Sequence, residues 1–156
     1  ARMAKEGKLI AQVALPESCA HGSYFAPRAF EIPSLATLTR EVFGPVLHVV
    51  RYAAKDLDAV IDAINATGYG LTLGIHSRID GTVAHIQRRA RAGNCYVNRN
   101  MIGAVVGVQP FGGEGLSGTG PKAGGPHYLA RFATERTLTI NTTAAGGNAS
   151  LLTLGP

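Results

Sequence analysis

Strands and helices alternate between residues 46 and 98, and this alternation limits the possible folds more than any other feature of the sequence. Short runs rich in β-branched residues predict strands, and apolar residues at helical spacing predict helices. The predicted elements, in order, are a strand at Val46–Tyr52, a helix at Asp56–Asn65, a strand at Leu71–His76, a helix at Asp80–Ala90 and a strand at Asn94–Asn98.

Strands that alternate with helices over short connections form parallel β-α-β units, because the chain must cross over before it can add a parallel strand. The predicted fold class is therefore α/β, with helices or another layer covering the sheet faces. Two further strands are predicted at Lys8–Leu15 and Ser23–Ile32. A last strand, Arg136–Asn141, alternates in polarity but has no evident pairing strand in the sequence.

Composition and charge exclude several functional classes. The 156 residues are 46% hydrophobic and 16% charged, which is typical of a globular domain and not of a disordered segment. The net charge is +5, and the basic residues cluster only at Arg88–Arg91. Because no aromatic residues interleave with this cluster, a solvated helix face is favoured over nucleic-acid binding. The apolar runs are too short for a transmembrane segment, and no signal peptide is expected.

The run Phe111–Pro126 contains seven glycines in sixteen residues. Glycines allow backbone amides to approach a ligand closely, and successive amides can form an anion-binding nest to which Ser117 would add a hydroxyl. A carboxylate or a phosphate would be the natural ligand. The alternative is a flexible loop whose glycines only avoid strain. The run has neither the ending of a phosphate-binding P-loop nor the context of a dinucleotide fingerprint.

A second motif, Glu41–Pro45, reads Glu-Val-Phe-Gly-Pro and resembles the Glu-x-Phe-Gly-Pro motif of the aldehyde dehydrogenase superfamily. The glycine-rich run resembles the loop that lines the aldehyde pocket in the same superfamily. The stretches Gly93–Gly113, Gly118–Pro126 and Thr143–Leu152 are more specifically similar to the glutamate-semialdehyde dehydrogenase domain of the bacterial bifunctional proline-utilization family. The resemblance covers nearly the whole chain.

The resemblance implies roles for four residues. Glu41 would accept a hydrogen bond from the nicotinamide ribose, and Phe43 would pack by the nicotinamide end of NAD; a surface carboxylate and a core aromatic are the alternatives. Ser117 and Gly118 would bind the α-carboxylate of the substrate. This last role agrees with the interpretation of the loop as an anion nest.

Neither cysteine is predicted to be catalytic. In this superfamily a cysteine thiolate attacks the aldehyde, and that cysteine lies a long interval before the Glu-x-Phe-Gly-Pro motif. Cys19 precedes Glu41 by only 22 residues. His21 lies in the same predicted turn, where two side chains rarely reach the geometry of a Cys-His nucleophile pair. Cys95 is predicted to be a buried structural thiol on the strand Asn94–Asn98. The two lack metal-ligand spacing, so no metal site is predicted, and they fit a reducing, intracellular compartment.

The implied function is NAD-dependent oxidation of L-glutamate γ-semialdehyde to glutamate in proline catabolism. The chain would be the C-terminal part of the enzyme and would be inactive by itself. Its expected partners are the remaining catalytic part, a flavin (FAD) domain and further copies of the chain. The implied location is cytoplasmic, with possible peripheral association with the inner membrane. The predicted segments are catalytic-domain residues 1–135, a terminal oligomerisation strand at 136–143 and a tail at 144–156.

Two other hypotheses remain open at this point. The enzyme could act on a different carboxylated semialdehyde, since the carboxylate-binding loop does not select among them. The chain could instead be a non-catalytic interaction module that uses the basic helix and the terminal strand.

Overall fold

The computed structural model describes residues 2–105, 107–141 and 144. The helices are α1 (Met3–Glu6), α2 (Leu57–Ala66) and α3 (Asp80–Arg89). Short 3-10 turns occur at Glu17–Cys19, Leu35–Thr37, Ala54–Asp56 and Leu129–Phe132. The strands are β1 (Lys8–Gln12), β2 (Arg28–Glu31), β3 (Val46–Val49), β4 (Tyr69–Gly70), β5 (Thr72–Ile75), β6 (Asn94–Val97) and β7 (Glu114–Gly115).

The first sheet has the order β1-β2-β3. Strands β1 and β2 are antiparallel, with an irregularity between Leu9 and Ala11, whereas β2 and β3 are parallel. The predicted strand Ser23–Ile32 forms only from Arg28 onward. Pro27 immediately precedes it and has no N–H to donate to a neighbouring strand, which explains the later start.

The other four strands form a second group, which consists of the pairs β5-β6 and β4-β7. Strands β5 and β6 are parallel, and helix α3 connects them. The three strands predicted between residues 46 and 98 therefore do not form one set. Strand β3 pairs with β2 instead of β5. Periodicity indicates that a segment is a strand but not which segment it pairs with, so this part of the predicted β-α-β series was wrong. Strand β4 pairs with β7, which lies in the glycine-rich run.

The buried apolar side chains lie on or next to β2, on β5, on β6 and on α2. They are Ala26, Phe30, Ile32, Ile61, Ile75 and Tyr96. Strand β6 alternates strictly, with Asn94 and Tyr96 buried and Cys95 and Val97 exposed. The prediction that Cys95 is a buried thiol was wrong, because the alternation of the strand directs it to the opposite face from Tyr96. Partial desolvation nevertheless raises the pKa of the Cys95 thiol.

Exposed charged side chains join α2 to α3. Arg89 donates to Asp58 at 3.3 Å and to Asp62 at 2.8 Å, and His85 lies 2.5 Å from Asp58. The hydrogen bond with His85 and the charge of Arg89 lower the pKa of the Asp58 carboxyl. Part of the basic cluster Arg88–Arg91 is thus neutralised within the chain, in agreement with its interpretation as a solvated helix face.

Residues 136–141 form no strand, and Leu138 and Ile140 are exposed. A strand needs a pairing segment, and the described part of the chain supplies none at this position, so the oligomerisation strand and the division at residues 135 and 143 stay predictions. Positions 142, 143 and 145–156 lie outside the described residues. No helix in the described ranges has the length and hydropathy to cross a bilayer.

Candidate functional site

The Glu41–Pro45 motif forms the turn that leads into β3. Gly44 has φ of +155°, a value that L side chains rarely adopt, which accounts for glycine at this position. Pro45 accepts a hydrogen bond from the Arg28 N–H and so extends the β2–β3 pairing into the motif. Glu41 is exposed, and the Phe43 side chain is 95% exposed. The core-packing alternative for Phe43 therefore does not hold in this chain.

The glycine-rich run is a loop that backbone hydrogen bonds close at its base. Phe111 and Ala123 exchange both backbone hydrogen bonds, at 3.0 and 2.9 Å, and close its base. Between them, β7 pairs with β4, with Gly70 opposite Glu114. Leu116 also donates from its N–H to the Gly68 carbonyl at 2.9 Å. These contacts favour an ordered loop over one whose glycines serve only flexibility.

Ser117 is half-buried inside this loop. Its hydroxyl oxygen accepts a hydrogen bond from the Gly70 N–H at 3.0 Å, which leaves the hydroxyl proton available for another acceptor. The Ser117 N–H donates to the Glu114 carbonyl at 3.0 Å, and the Gly118 N–H donates to the Gly115 carbonyl at a longer 3.4 Å. The Ser117 hydroxyl can therefore donate to a bound anion, and the Gly118 amide is only weakly bonded within the loop.

Gly118 is required by the packing of the loop against itself. A β-carbon at this position would lie 2.2 Å from the Gly113 carbonyl oxygen. The close approach predicted from the glycines does occur, but here it is to the loop's own backbone.

Two side chains that the sequence analysis did not single out attach the loop to β6. Asn94, 8% exposed, donates to the Pro110 carbonyl at 3.0 Å and accepts from the Gly112 N–H at 3.2 Å. The Lys122 ammonium donates to the Gly93 carbonyl. These contacts join residues far apart in the sequence, and the signal that both side chains carried was their place in the resembling stretches Gly93–Gly113 and Gly118–Pro126.

The predicted cofactor and substrate residues occupy different parts of the structure. Glu41 and Phe43 precede β3 in the first sheet, whereas Ser117 and Gly118 lie in the loop attached to β4 and β6. Among the described residues, no hydrogen bond joins the two sets. An open depression of about 500 Å³ is lined by Gly44, Pro45 and residues of the three strands of the first sheet.

A second depression, of about 230 Å³, lies between β4, β7 and Arg91. Neither of the two is lined by Ser117 or Gly118. No group of three or more potential metal ligands occurs in the described part of the chain.

The pattern of the aldehyde dehydrogenase family matches residues 1–138. The chain therefore belongs to the aldehyde dehydrogenase family.

The chain is similar in sequence to bifunctional proline utilization proteins. It is 58% identical over 133 residues to the bifunctional protein PutA of Rhizobium meliloti and 64% identical over 115 residues to that of Escherichia coli. These alignments cover 85% and 74% of this chain but only 11% and 9% of the relatives. The chain thus spans about a tenth of the length of these relatives.

Two solved structures extend the comparison. A mutant of Bradyrhizobium japonicum proline utilization A superposes with a TM-score of 0.82 at 63% identity, covering 92% of this chain and 14% of that one. A 1-pyrroline-5-carboxylate dehydrogenase from Thermus, crystallised with bound NAD, superposes with a TM-score of 0.72 at 39% identity, covering 83% of this chain and 25% of that one.

Gly93 and Gly81 provide a matched test of the attachment between the loop and β6. A β-carbon at Gly93 would lie 1.8 Å from the Gly112 carbonyl oxygen, whereas one at Gly81, in α3, would meet no atom within 4 Å. We expect Gly93→Ala to lower the melting temperature and Gly81→Ala to raise it, the latter by about 0.5–1 kcal/mol of helix stability. Thermal unfolding followed by circular dichroism measures both. Equal melting temperatures for Gly93→Ala and the parent would contradict the observed contact.

Proposed function

We propose that this chain is part of an NAD-dependent L-glutamate γ-semialdehyde dehydrogenase, which oxidises the semialdehyde to L-glutamate in proline catabolism. The observation that carries the proposal is the attached loop of Ser117, with a free hydroxyl proton, in a chain 58% to 64% identical to PutA relatives. A substrate that carries both an aldehyde and a carboxylate needs an anion-binding group at a fixed distance from the reacting carbon.

The chemistry divides between this chain and the rest of the enzyme. A cysteine thiolate supplied from outside this chain attacks the aldehyde carbon, and water later releases the acid. NAD accepts the hydride when it is bound. Ser117 donates its hydroxyl proton to the substrate α-carboxylate, and the Gly118 amide adds a second donor. This binding holds the aldehyde end in position for attack.

Two residues of this chain have the properties that a nicotinamide nucleotide requires. Glu41 is an exposed carboxylate that can accept hydrogen bonds from ribose hydroxyls. Phe43 presents a ring that is 95% exposed, and such a ring gains most by packing against a flat heterocycle. Their position at the entry to β3, whose pairing with β2 continues into Pro45, gives them a rigid support.

The remaining parts of the proposal concern the parent protein. A flavin-dependent domain carrying FAD and an association of several copies through residues 136–143 are proposed by analogy with the bifunctional relatives. A cytoplasmic location with peripheral contact at the inner membrane is proposed on the same basis.

The first test separates an enzyme segment from an interaction module. We expect the isolated chain to produce no NADH with any aldehyde, and the full-length protein to produce NADH with glutamate semialdehyde. The double variant Cys19→Ser and Cys95→Ser of the full-length protein should keep its turnover, because neither thiol is the proposed nucleophile. Loss of turnover with Cys95→Ser alone would contradict the assignment.

The second test concerns Glu41 in the full-length enzyme. Glu41→Gln removes a charge-assisted hydrogen bond to a ribose hydroxyl, which is worth about 1.5–3 kcal/mol, so the KM for NAD should rise by about ten- to a hundredfold. Steady-state kinetics with varied NAD measure this change. Glu17→Gln, at another exposed carboxylate, is the matched control and should leave the KM for NAD unchanged. Identical kinetics for Glu41→Gln and the control would show that Glu41 is a surface carboxylate.

The third test concerns Ser117. In the full-length enzyme, Ser117→Ala should raise the KM for glutamate semialdehyde, because one donor to the α-carboxylate is lost. A simple aldehyde without a carboxylate should be oxidised about equally well by the variant and the parent. Gly118→Val should be more severe, since its side chain would collide with the Gly113 carbonyl. Equal losses of Ser117→Ala on both aldehydes would indicate a general collapse of the pocket and remove the support for a carboxylate site.

A further inference from the structure

The side chain of Asn94 is a buried amide in the described core, and both of its ends are used. Its nitrogen donates to the Pro110 carbonyl and its oxygen accepts from the Gly112 N–H. This is the pattern that one residue of a parallel strand makes with the residues on either side of its neighbour. The Asn94 side chain therefore acts as an extra backbone unit that pairs with the segment around Phe111.

Phe111 is consequently held from two directions. Its own N–H and carbonyl pair with Ala123, while its neighbours Pro110 and Gly112 pair with the Asn94 amide. The base of the glycine-rich loop is thus fixed to the first residue of β6. A side-chain amide can do this only from a short distance, and the absence of a side chain at Gly93 permits it, since a β-carbon there would overlap the Gly112 carbonyl.

A short series of hydrogen bonds leads from this attachment to Ser117. The Gly93 N–H donates to the Gly70 carbonyl at 2.9 Å, and the Gly70 N–H donates to the Ser117 hydroxyl at 3.0 Å. Residues 93 and 94 therefore hold the loop at its base and also support the strand residue against which the Ser117 hydroxyl rests. Displacement of the base would move the hydroxyl relative to the reacting carbon.

We propose that Asn94 is a positioning residue: its amide fixes the loop that carries Ser117 and thereby sets the affinity of the enzyme for a carboxylated aldehyde. The proposal rests on the proposed function. Asn94 does not touch the substrate, and it acts through the loop.

Another asparagine of the chain offers a matched control. Asn65 also binds backbone with both ends of its amide, donating to the Arg89 carbonyl at 2.9 Å and accepting from the Arg91 N–H at 2.8 Å. It joins α2 to the end of α3 and makes no hydrogen bond to the glycine-rich loop. Removal of the Asn65 amide therefore tests the loss of a two-ended amide contact without displacement of the loop base.

The experiment compares Asn94→Asp, Asn94→Ala and Asn65→Ala in the full-length enzyme. Kinetics are measured with glutamate semialdehyde and with a simple aldehyde that has no carboxylate. We expect both Asn94 variants to raise the KM for the semialdehyde by about ten-fold, with the KM for the simple aldehyde and both kcat values nearly unchanged. Asn65→Ala should leave the ratio of the two KM values at the parent level.

The pH dependence of Asn94→Asp adds a readout that lost stability would not produce. At neutral pH its carboxylate keeps the acceptor for Gly112 but faces the Pro110 carbonyl with no proton to donate. Protonation restores a donor on an otherwise isosteric group, and burial favours the protonated form. The semialdehyde KM of Asn94→Asp, divided by that of the parent at the same pH, should therefore fall as the pH is lowered. The same quotient for Asn94→Ala should stay constant.

Three results would overturn the proposal. They are unchanged KM values in both Asn94 variants, equal losses on the two aldehydes, and a quotient for Asn94→Asp that does not fall at low pH. If Asn94→Ala does not fold, the Asp variant and its pH profile decide the matter alone. A parent enzyme that oxidises the two aldehydes equally well would instead overturn the proposed function, and the role of Asn94 with it.

Discussion

The contact between the start of β6 and the segment Pro110–Gly112 is the interaction on which the candidate site depends. Here two backbones approach so closely that Gly93 has no room for a side chain, and the Asn94 amide completes the hydrogen bonding. A buried amide with both ends satisfied is rigid, because breaking either bond leaves a buried polar group unpaired at a cost of about 1–3 kcal/mol. These bonds therefore attach the loop rigidly to the parallel β5-β6 pair.

The surface of the chain exposes several large apolar side chains. Phe43, Leu129 and Leu138 are each at least 80% exposed. Burial of such side chains against another surface lowers the free energy. The chain spans about a tenth of the length of the bifunctional proteins to which it is similar. Under the proposed function, Phe43 would be covered by the cofactor and the terminal apolar side chains by another copy of the chain.

Local pattern predicted the elements well and their pairing poorly. The helices at 57–66 and 80–89 and the strands at 72–75 and 94–97 were predicted to within a few residues, because apolar spacing and glycine stops are properties of contiguous sequence. The pairing of β3 with β2 was missed, because hydrogen-bonded neighbours are chosen by packing between segments distant along the chain. The exposure of Cys95 was missed for the same reason, since the face of β6 that would be covered had no local marker.

By itself, the sequence determined the family, the two motifs and the need for close backbone approach in the glycine-rich run, because these are recorded in residue type and spacing. Only the tertiary structure decided what approaches those glycines. At Gly93 and Gly118 it is the chain's own backbone, and the Ser117 hydroxyl is fixed by Gly70, far from it in sequence. Likewise, nothing in the residues around Asn94 specifies that its amide will pair with Pro110 and Gly112. That pairing exists because α3 returns the chain parallel to β5, which places the first residue of β6 against the base of the loop.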